Sequence, residues 1–286
     1  MLKNYKNYIL DLSLKKIYQK FFLNDTKRSS YFYFLKDLYF LFLKDKYLNL
    51  DKNKFDKNIN LLLNYDGIDT LDLHYSLFEP DLIYDLNKYY KIQEKQIFLR
   101  FLKYSLNQKL IRKKYYDIYS FCHEYIGDSL KILEIGGGVP HGFIFKIWKD
   151  GKDFFDKIIY LEADMLHTRF FQWYCDKNKI KIETKIFPAS KTPTIENIEY
   201  NFVFAKDIFE HLDDPKKLIK DLIKNTKNTK TLLCLDLEHK GIETTQHINP
   251  NLPLLKEELL NNNFCIIKKF GDIHVWKKTE LYTKKQ

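Results

Sequence analysis

The sequence predicts two structural parts, an α-helical domain over residues 1–128 and an α/β domain over residues 129–286 with a doubly wound, mostly parallel sheet. Two observations carry this prediction. Up to Ser129 the chain contains few Gly and Pro residues and repeats apolar residues at helical spacing. From Lys131 onward, short apolar runs rich in β-branched residues alternate with helical stretches, the pattern of parallel strands joined by helices.

The first 128 residues combine helical spacing with a large aromatic content. Apolar residues recur every three or four positions in stretches 9–21, 34–41 and 97–110, whereas Asn, Asp, Gly and Pro predict loops or turns at 49–72 and 74–81. This part also holds 17 of the 21 tyrosines. We favour the interpretation that they pack along helix seams. The alternative is an aromatic floor for a sugar ring or another flat substrate.

One run in this helical part, residues 31–43, consists mostly of Tyr, Phe and Leu. An amphipathic segment of this kind could lie on a membrane surface. Lys36 and Asp37 interrupt the run, and we therefore predict a buried helix.

The α/β part is predicted to contain seven strands and four helices. The strands are expected at 131–135, 157–161, 180–187, 201–205, 231–237, 264–268 and 273–276. The helices are expected at 143–148, 165–177, 215–225 and 253–262. Only residues 269–272 separate the last two strands, which predicts an antiparallel hairpin at the sheet edge.

The charge of the chain is basic but evenly spread. The formal net charge is +10, with +6 in residues 1–128 and +4 in the remainder, and only four of the 48 basic residues are arginine. Proteins that grip phosphates and base edges favour arginine and concentrate their positive charge. We therefore expect no nucleic-acid partner.

The four cysteines lie far apart without a CxxC pair, which argues against a zinc site and against a disulfide framework. The first residues lack a continuous apolar segment, and no stretch approaches the ~20 apolar residues that span a bilayer. We expect a cytoplasmic protein with no membrane span and no bound metal. A homodimer could form through the helical part.

Three consecutive glycines follow the first predicted strand directly and precede a helix, at Gly136, Gly137 and Gly138. Without side chains, such a turn lets backbone N–H groups approach a ligand at a helix N-terminus. Glu134 lies two residues before the first glycine. A carboxylate within an apolar strand is costly unless it has a partner, which indicates a role in ligand binding.

These residues resemble the class I S-adenosylmethionine-dependent methyltransferases, over about residues 130–278. Glu134, Gly136 and Gly138 match the acidic residue and alternate glycines of the family's first motif. Glu162, or less well Asp164, matches the acid at the end of the second strand. Residues 204–215 resemble the "D-x-x-E-H-x-x-D-P" segment that follows the fourth strand in many small-molecule methyltransferases.

The resemblance implies a Rossmann-like sheet in the order 3-2-1-4-5-7-6 and S-adenosylmethionine as cofactor. Glu162 would accept hydrogen bonds from the ribose hydroxyls. Ala189 or Ser190 would flank the adenine, and Lys206 or Asp207 would lie near the methionine portion. Independently, the Asp-Asp-Pro sequence at 213–215 predicts a helix N-cap followed by a first-turn proline.

The function we expect is methyl transfer to a hydroxyl of a small molecule or a carbohydrate, with the helical part as a lid or acceptor-specificity domain. His211 and His239 are the candidate bases, because a neutral histidine can take a proton from a hydroxyl near neutral pH.

Three alternatives remain open. An RNA methyltransferase would use the net positive charge. A non-catalytic protein that retains the nucleotide fold would explain Pro140, which stands where the family usually continues its glycine pattern. A NAD(P)-dependent dehydrogenase fits least, because its fingerprint requires Gly-x-Gly-x-x-Gly.

Overall fold

The computed structural model of the protein contains one seven-stranded sheet with helices on both faces. The helices are α1 (Ser30–Lys46), α2 (Lys109–Ile126), α3 (His141–Asp150), α4 (Leu166–Lys177), α5 (Pro215–Asn225) and α6 (Leu252–Asn261). The strands are β1 (Leu130–Ile135), β2 (Phe155–Glu162), β3 (Ile182–Ile186), β4 (Phe202–Ala205), β5 (Leu232–Asp236), β6 (Phe264–Phe270) and β7 (Ile273–Lys278). The structure describes residues 30–46, 52, 53, 56, 109–136, 138–189, 191–227, 229–238 and 252–280.

The strand order is β3-β2-β1-β4-β5-β7-β6, which is the order that the resemblance implies. Strands β1 to β5 pair in parallel, whereas β7 runs antiparallel to both β5 and β6. The predicted fold class is therefore confirmed, including the antiparallel hairpin at the end of the chain. In the α/β part, the predicted strands and helices differ from the observed ones only by a few residues at their ends.

Helix α1 covers the predicted stretch 34–41. The predicted helical stretch 9–21, the predicted loop 74–81 and residues 97–108 of the predicted helical stretch 97–110 lie outside the described residues, and residues 109 and 110 begin α2. The three described residues of the predicted loop 49–72 are helical, so the loop prediction is wrong there: the charged residues Lys52 and Asp56 read as loop residues, but at helical spacing they pair with Asp37 and Lys36 of α1. Within the described part of the chain, none of the helices is both long and apolar enough to cross a membrane.

Side-chain alternation along the strands divides the core into two layers. On one face, Ile132 of β1 packs with aromatic residues of α1, α2, α3 and α4. On the other face, Leu133 and Ile135 pack with α5 and α6. Each fully buried Leu or Ile stabilises the fold by about 1.5–3 kcal/mol. Among the described residues, helices thus cover both faces of the sheet, which makes the strand ends the expected place for a ligand.

Helix α2 lies directly on the sheet and against α3. A Cβ atom added to Gly142 of α3 would lie 2.3 Å from Cβ of Tyr115, so only glycine permits this approach. Farther along α2, the ring of Tyr119 stacks on Phe204 of β4, with centroids 5.8 Å apart. The tyrosines of α1 and α2 that the structure shows to be buried, Tyr31, Tyr39, Tyr115 and Tyr119, therefore occupy packing seams.

Candidate functional site

The candidate site lies where the carboxyl ends of β1, β2 and β4 adjoin. Glu134 of β1 is opposite Tyr160 of β2 on one side and Phe204 of β4 on the other. The backbone N–H of Gly136 donates to the carbonyl of Leu161 at 2.9 Å, which carries the pairing one residue past the end of β1. In open α/β sheets, ligands bind at the carboxyl ends of the strands, at the point where the strand order reverses.

Two positions of the glycine loop, Gly136 and Gly138, require glycine. Gly136 and Gly138 have φ values of 62° and 74°, a region that L side chains rarely adopt. At Gly136 an added Cβ atom would also lie 2.5 Å from Cδ1 of Ile208. Ile208 lies in the segment after β4, so this segment packs against the glycine loop that follows β1. Gly137 lies outside the described residues.

Glu162 holds the glycine loop from the neighbouring strand. Its Oε2 accepts the backbone N–H of Gly138 at 3.0 Å, and its Oε1 accepts the N–H of Ala163 at 2.9 Å. The hydroxyl of Tyr160 donates to the carbonyl of Gly138 at 2.6 Å and also lies 3.4 Å from Oε2 of Glu162. Both backbone groups of Gly138 are therefore bonded to β2.

The Glu162 carboxylate keeps room for further donors. An ionised carboxylate offers about four acceptor positions, and the two short backbone bonds occupy two of them. The 3.4 Å contact with Tyr160 is long, since the main bond of that hydroxyl goes to Gly138. Nε2 of His167 lies 3.7 Å from Oε2. Asp164, the alternative acid, is exposed and pairs with Arg169 at 3.1 Å.

Glu134 is buried, with only 3% of its surface exposed. Its Oε2 accepts the hydroxyl of Tyr119, from α2, at 2.7 Å. The pKa of Glu134 is raised to about 8, because burial and, to a smaller extent, the nearby Glu162 charge raise it more than the Tyr119 hydrogen bond lowers it. The carboxyl group is therefore poised between its neutral and ionised forms near neutral pH.

An ion pair between a largely buried lysine and an exposed aspartate borders the ends of β4 and β5. Lys206 contacts the carboxylate of Asp207, and its side chain is only 16% exposed. Burial lowers the pKa of Lys206, whereas nearby Asp236 raises it. Burial likewise raises the pKa of Asp236, and Lys206 opposes that shift. The ionisation of Lys206 and the ionisation of Asp236 therefore depend on each other.

His211 ends a short 3₁₀ turn, Phe209–His211, that follows β4. Its side chain is 23% exposed, and Nε2 lies 4.0 Å from Oε1 of the buried Glu210. This partial exposure leaves the imidazole within reach of solvent. The following Asp214 caps α5 by accepting the N–H of Lys217 at 2.9 Å, as its sequence predicts.

The remaining predicted site residues divide into two groups. Ala189 is buried in the segment after β3, whose start is fixed by the N–H of Phe187 donating to the carbonyl of Glu162 at 3.2 Å. Ser190 and His239 lie outside the described residues. Among the residues that are described, no group of three or more His, Cys, Asp or Glu side chains could hold a metal ion.

Sequence reasoning missed Tyr119, Tyr160, Ile208 and Asp236. The signal for Tyr160 was present, because residues two apart on a strand share a face and Tyr160 precedes Glu162 by two. Asp236 lies at the carboxyl end of a predicted strand, where the ligands of an α/β sheet are expected to bind. No local pattern marks Tyr119 or Ile208, because each meets the site through a contact between separate elements.

No protein-family model matches the chain, and no curated protein matches it. Solved structures with a similar arrangement include EvdMO1, at 17% identity over 58% of this chain and a TM-score of 0.37. A SAM dependent methyltransferase from Aquifex aeolicus is 15% identical over 70% of this chain and 98% of its own length, with a TM-score of 0.41.

RosA from Streptomyces davawensis, an N,N-8-amino-8-demethyl-D-riboflavin dimethyltransferase, is 11% identical over 77% of this chain and 67% of its own length, with a TM-score of 0.44. The alignment with EvdMO1 takes in 41% of that protein. At such low identities and TM-scores, we draw no conclusion about activity from these alignments.

Proposed function

We propose that the protein binds S-adenosylmethionine and transfers its methyl group to a hydroxyl of a small molecule or carbohydrate. The observation that carries this proposal is the connection between β1 and β2 through Gly138. Its N–H is bonded to Glu162 and its carbonyl to Tyr160. A glycine loop held in this way beside a strand-end carboxylate, in a sheet of order 3-2-1-4-5-7-6, suits a nucleoside ligand.

The hydrogen-bonding and charged groups at the carboxyl ends of β1 and β2 fit the cofactor. Glu162 retains about two acceptor positions, the number that two ribose hydroxyls require. Glu162 provides negative charge for a ligand with a sulfonium and an ammonium group, and Glu134 adds to it in its ionised form. Lys206 or Asp207 would lie near the methionine portion, and Ala189 or Ser190 would flank the adenine.

When bound, the cofactor supplies an electrophilic methyl group, which an acceptor oxygen takes in one in-line displacement. The contribution of this chain is alignment, because holding two reactants in an attack geometry removes much of the barrier. A hydroxyl acceptor must also lose its proton. His211, with its partly exposed side chain after β4, is the proposed base, and His239 is the second candidate.

The helical part completes the proposal. Residues 1–128 would form the lid or acceptor-specificity domain, and residues 129–286 the cofactor-binding domain. A homodimer through the helical part and a cytoplasmic location belong to the same proposal. The acceptor is proposed to be neutral or weakly charged, because the basic residues of the chain are spread evenly along it.

Calorimetric titration with S-adenosylmethionine tests the cofactor assignment. We expect binding by the wild type and a loss of about 100-fold or more for Glu162→Ala, because several charge-assisted bonds disappear. Asp164→Ala is the matched control, since this exposed carboxylate is two residues away on the same segment. Absence of wild-type binding, or equal losses in both variants, would refute the assignment.

A methyl-transfer screen tests the acceptor class. Formation of S-adenosylhomocysteine is followed with panels of sugars, phenols and primary amines, and with total RNA at low and high salt. Turnover with a hydroxyl compound supports the proposal. Salt-sensitive turnover with RNA alone would favour an RNA methyltransferase, and cofactor binding without turnover on any panel would favour a non-catalytic protein.

A further inference from the structure

Helix α2 delivers one polar group to the end of β1, the hydroxyl of Tyr119. This hydroxyl donates to Oε2 of Glu134 at 2.7 Å, across 15 residues of sequence. Tyr119 is 1% exposed and Glu134 is 3% exposed, so water does not substitute for the bond. Among the residues that the structure describes, Tyr119 is the only hydrogen-bond partner of Glu134.

We infer that Tyr119 is a positioning residue of the cofactor site, which holds the Glu134 carboxyl group in the orientation that receives a cationic ligand and favours its ionised form. This inference rests on the proposed function. It adds that the helical segment before the sheet supplies a part of the binding machinery, since Tyr119 belongs to α2 and Glu134 precedes the glycine loop by two residues.

The tyrosine ring has little freedom to move. It stacks on Phe204 with an interplanar angle of 23° and meets Phe202 edge-on, with centroids 5.3 Å apart. Phe143 and Phe154 pack against it from α3 and from the segment before β2. Aromatic pairs in such arrangements are worth about 0.5–1.5 kcal/mol each beyond their buried area. The packing therefore fixes the hydroxyl, and the hydroxyl fixes the carboxylate.

The charges around Glu134 make this bond decisive for its ionisation. The titratable groups that face the Tyr119–Glu134 pair are Cys122 of α2, Tyr160 and Glu162 of β2, and Cys234 of β5. None of them is a cation. Burial and the Glu162 charge raise the pKa of Glu134, and the Tyr119 hydrogen bond is the contribution that lowers it. Loss of the bond therefore favours the neutral carboxyl group.

The test is the pH dependence of S-adenosylmethionine affinity between pH 6 and 9.5 in the wild type and in Tyr119→Phe, which keeps the ring. A cationic ligand prefers ionised Glu134, so affinity is expected to rise with pH in the wild type. In Tyr119→Phe the midpoint should move up by about one pH unit, because a charge-assisted bond is lost. Affinity should fall about tenfold at pH 7 and recover at high pH.

Two sets of controls separate positioning from general damage. In Glu134→Gln the glutamate no longer titrates, so the remaining pH dependence of affinity reports the ligand's own amino group. Adding Tyr119→Phe to Glu134→Gln should cause no further change in this pH dependence. Tyr174→Phe removes another buried tyrosine hydroxyl and should leave the midpoint unchanged. Thermal unfolding of every variant confirms that each is folded at the pH used.

A Tyr119→Phe midpoint equal to that of the wild type, or an equal loss of affinity at all pH values, would overturn the inference while leaving the proposed function intact. Absence of wild-type binding at any pH would overturn both. Carbon-13 NMR of labelled glutamate, assigned by its loss in Glu134→Gln, provides a readout without cofactor. In that measurement the pKa of Glu134 should be higher in Tyr119→Phe than in the wild type, and an unchanged pKa would also overturn the inference.

Discussion

The hydroxyl of Tyr160 donates to the carbonyl of Gly138 at 2.6 Å and so joins the second strand to the loop that follows the first. Because the N–H of the same glycine donates to Glu162, the peptide groups on both sides of Gly138 are fixed by residues of one strand. Gly138 is therefore held in place before any ligand arrives. Preorganisation of this kind reduces the entropy that binding must overcome.

Tyr160→Phe is predicted to weaken cofactor binding as well as the stability of the fold. A buried carbonyl that loses its partner costs about 1–3 kcal/mol, and the loop also gains freedom that a ligand must remove. We expect about a five- to tenfold loss of affinity by calorimetry. Tyr200→Phe is the control, because its hydroxyl lies a long 3.4 Å from the carbonyl of Leu222. Equal affinities of wild type and Tyr160→Phe would contradict the prediction.

Gly136→Ala is predicted to destabilise the fold by about 2–5 kcal/mol, the sum of a left-handed φ and a clash with Ile208. Chemical denaturation measures this loss. Gly127→Ala is the matched control, because Gly127 also has a positive φ of 74° but nothing within 4 Å of an added Cβ. It should cost only about 1–2 kcal/mol. A double variant, Gly136→Ala with Ile208→Ala, removes the two nearest atoms, Cδ1 and Cγ1, and should relieve most of the clash while retaining the strain, when it is compared with Ile208→Ala alone.

The stability of the protein is predicted to contain a pH-dependent contribution from Glu134. Its pKa is about 8 in the folded state, against 4.5 when unperturbed, so the folded state binds more protons between these values. This contribution is complete below the unfolded pKa and is lost as the pH rises through 8. Glu134→Gln should flatten the fall in unfolding free energy by about 1.4 kcal/mol per pH unit in that interval. An unchanged slope would show that Glu134 is ionised throughout.

His211→Ala is predicted to lower kcat for a hydroxyl acceptor by about 10²- to 10⁴-fold, the usual contribution of a general base. Cofactor affinity should be unchanged, because the histidine follows β4 and is assigned to the acceptor side. His123→Ala serves as control, since His123 lies in the last turn of α2, at the opposite end of the sheet. Full activity of His211→Ala would exclude the histidine as the base.

The sequence predicts the fold well because the fold is encoded by local patterns. The seven apolar runs mark the strands, and the four-residue link between β6 and β7 indicates their hairpin. The site is less predictable. Glu162 and Asp164 are two acids of one segment, and only the structure shows that the first bonds the glycine loop while the second faces Arg169 at the surface.

Contacts between distant elements explain what the sequence could not show. The Tyr119–Glu134 bond joins a helix to a strand, and neither residue's neighbours indicate the other. Ile208 likewise meets Gly136 only because β4 pairs with β1. Their discovery required the three-dimensional packing of whole elements.

The close approach of Gly142 to Tyr115 makes α2 and α3 one packed unit, and Tyr119 of the same helix is bonded to Glu134. An acceptor that displaces α2 would therefore alter the affinity for the cofactor. By thermodynamic reciprocity, the cofactor would then alter the affinity for that acceptor by the same factor. Coupling of this kind would make the cooperativity between the two substrates a property of one helix.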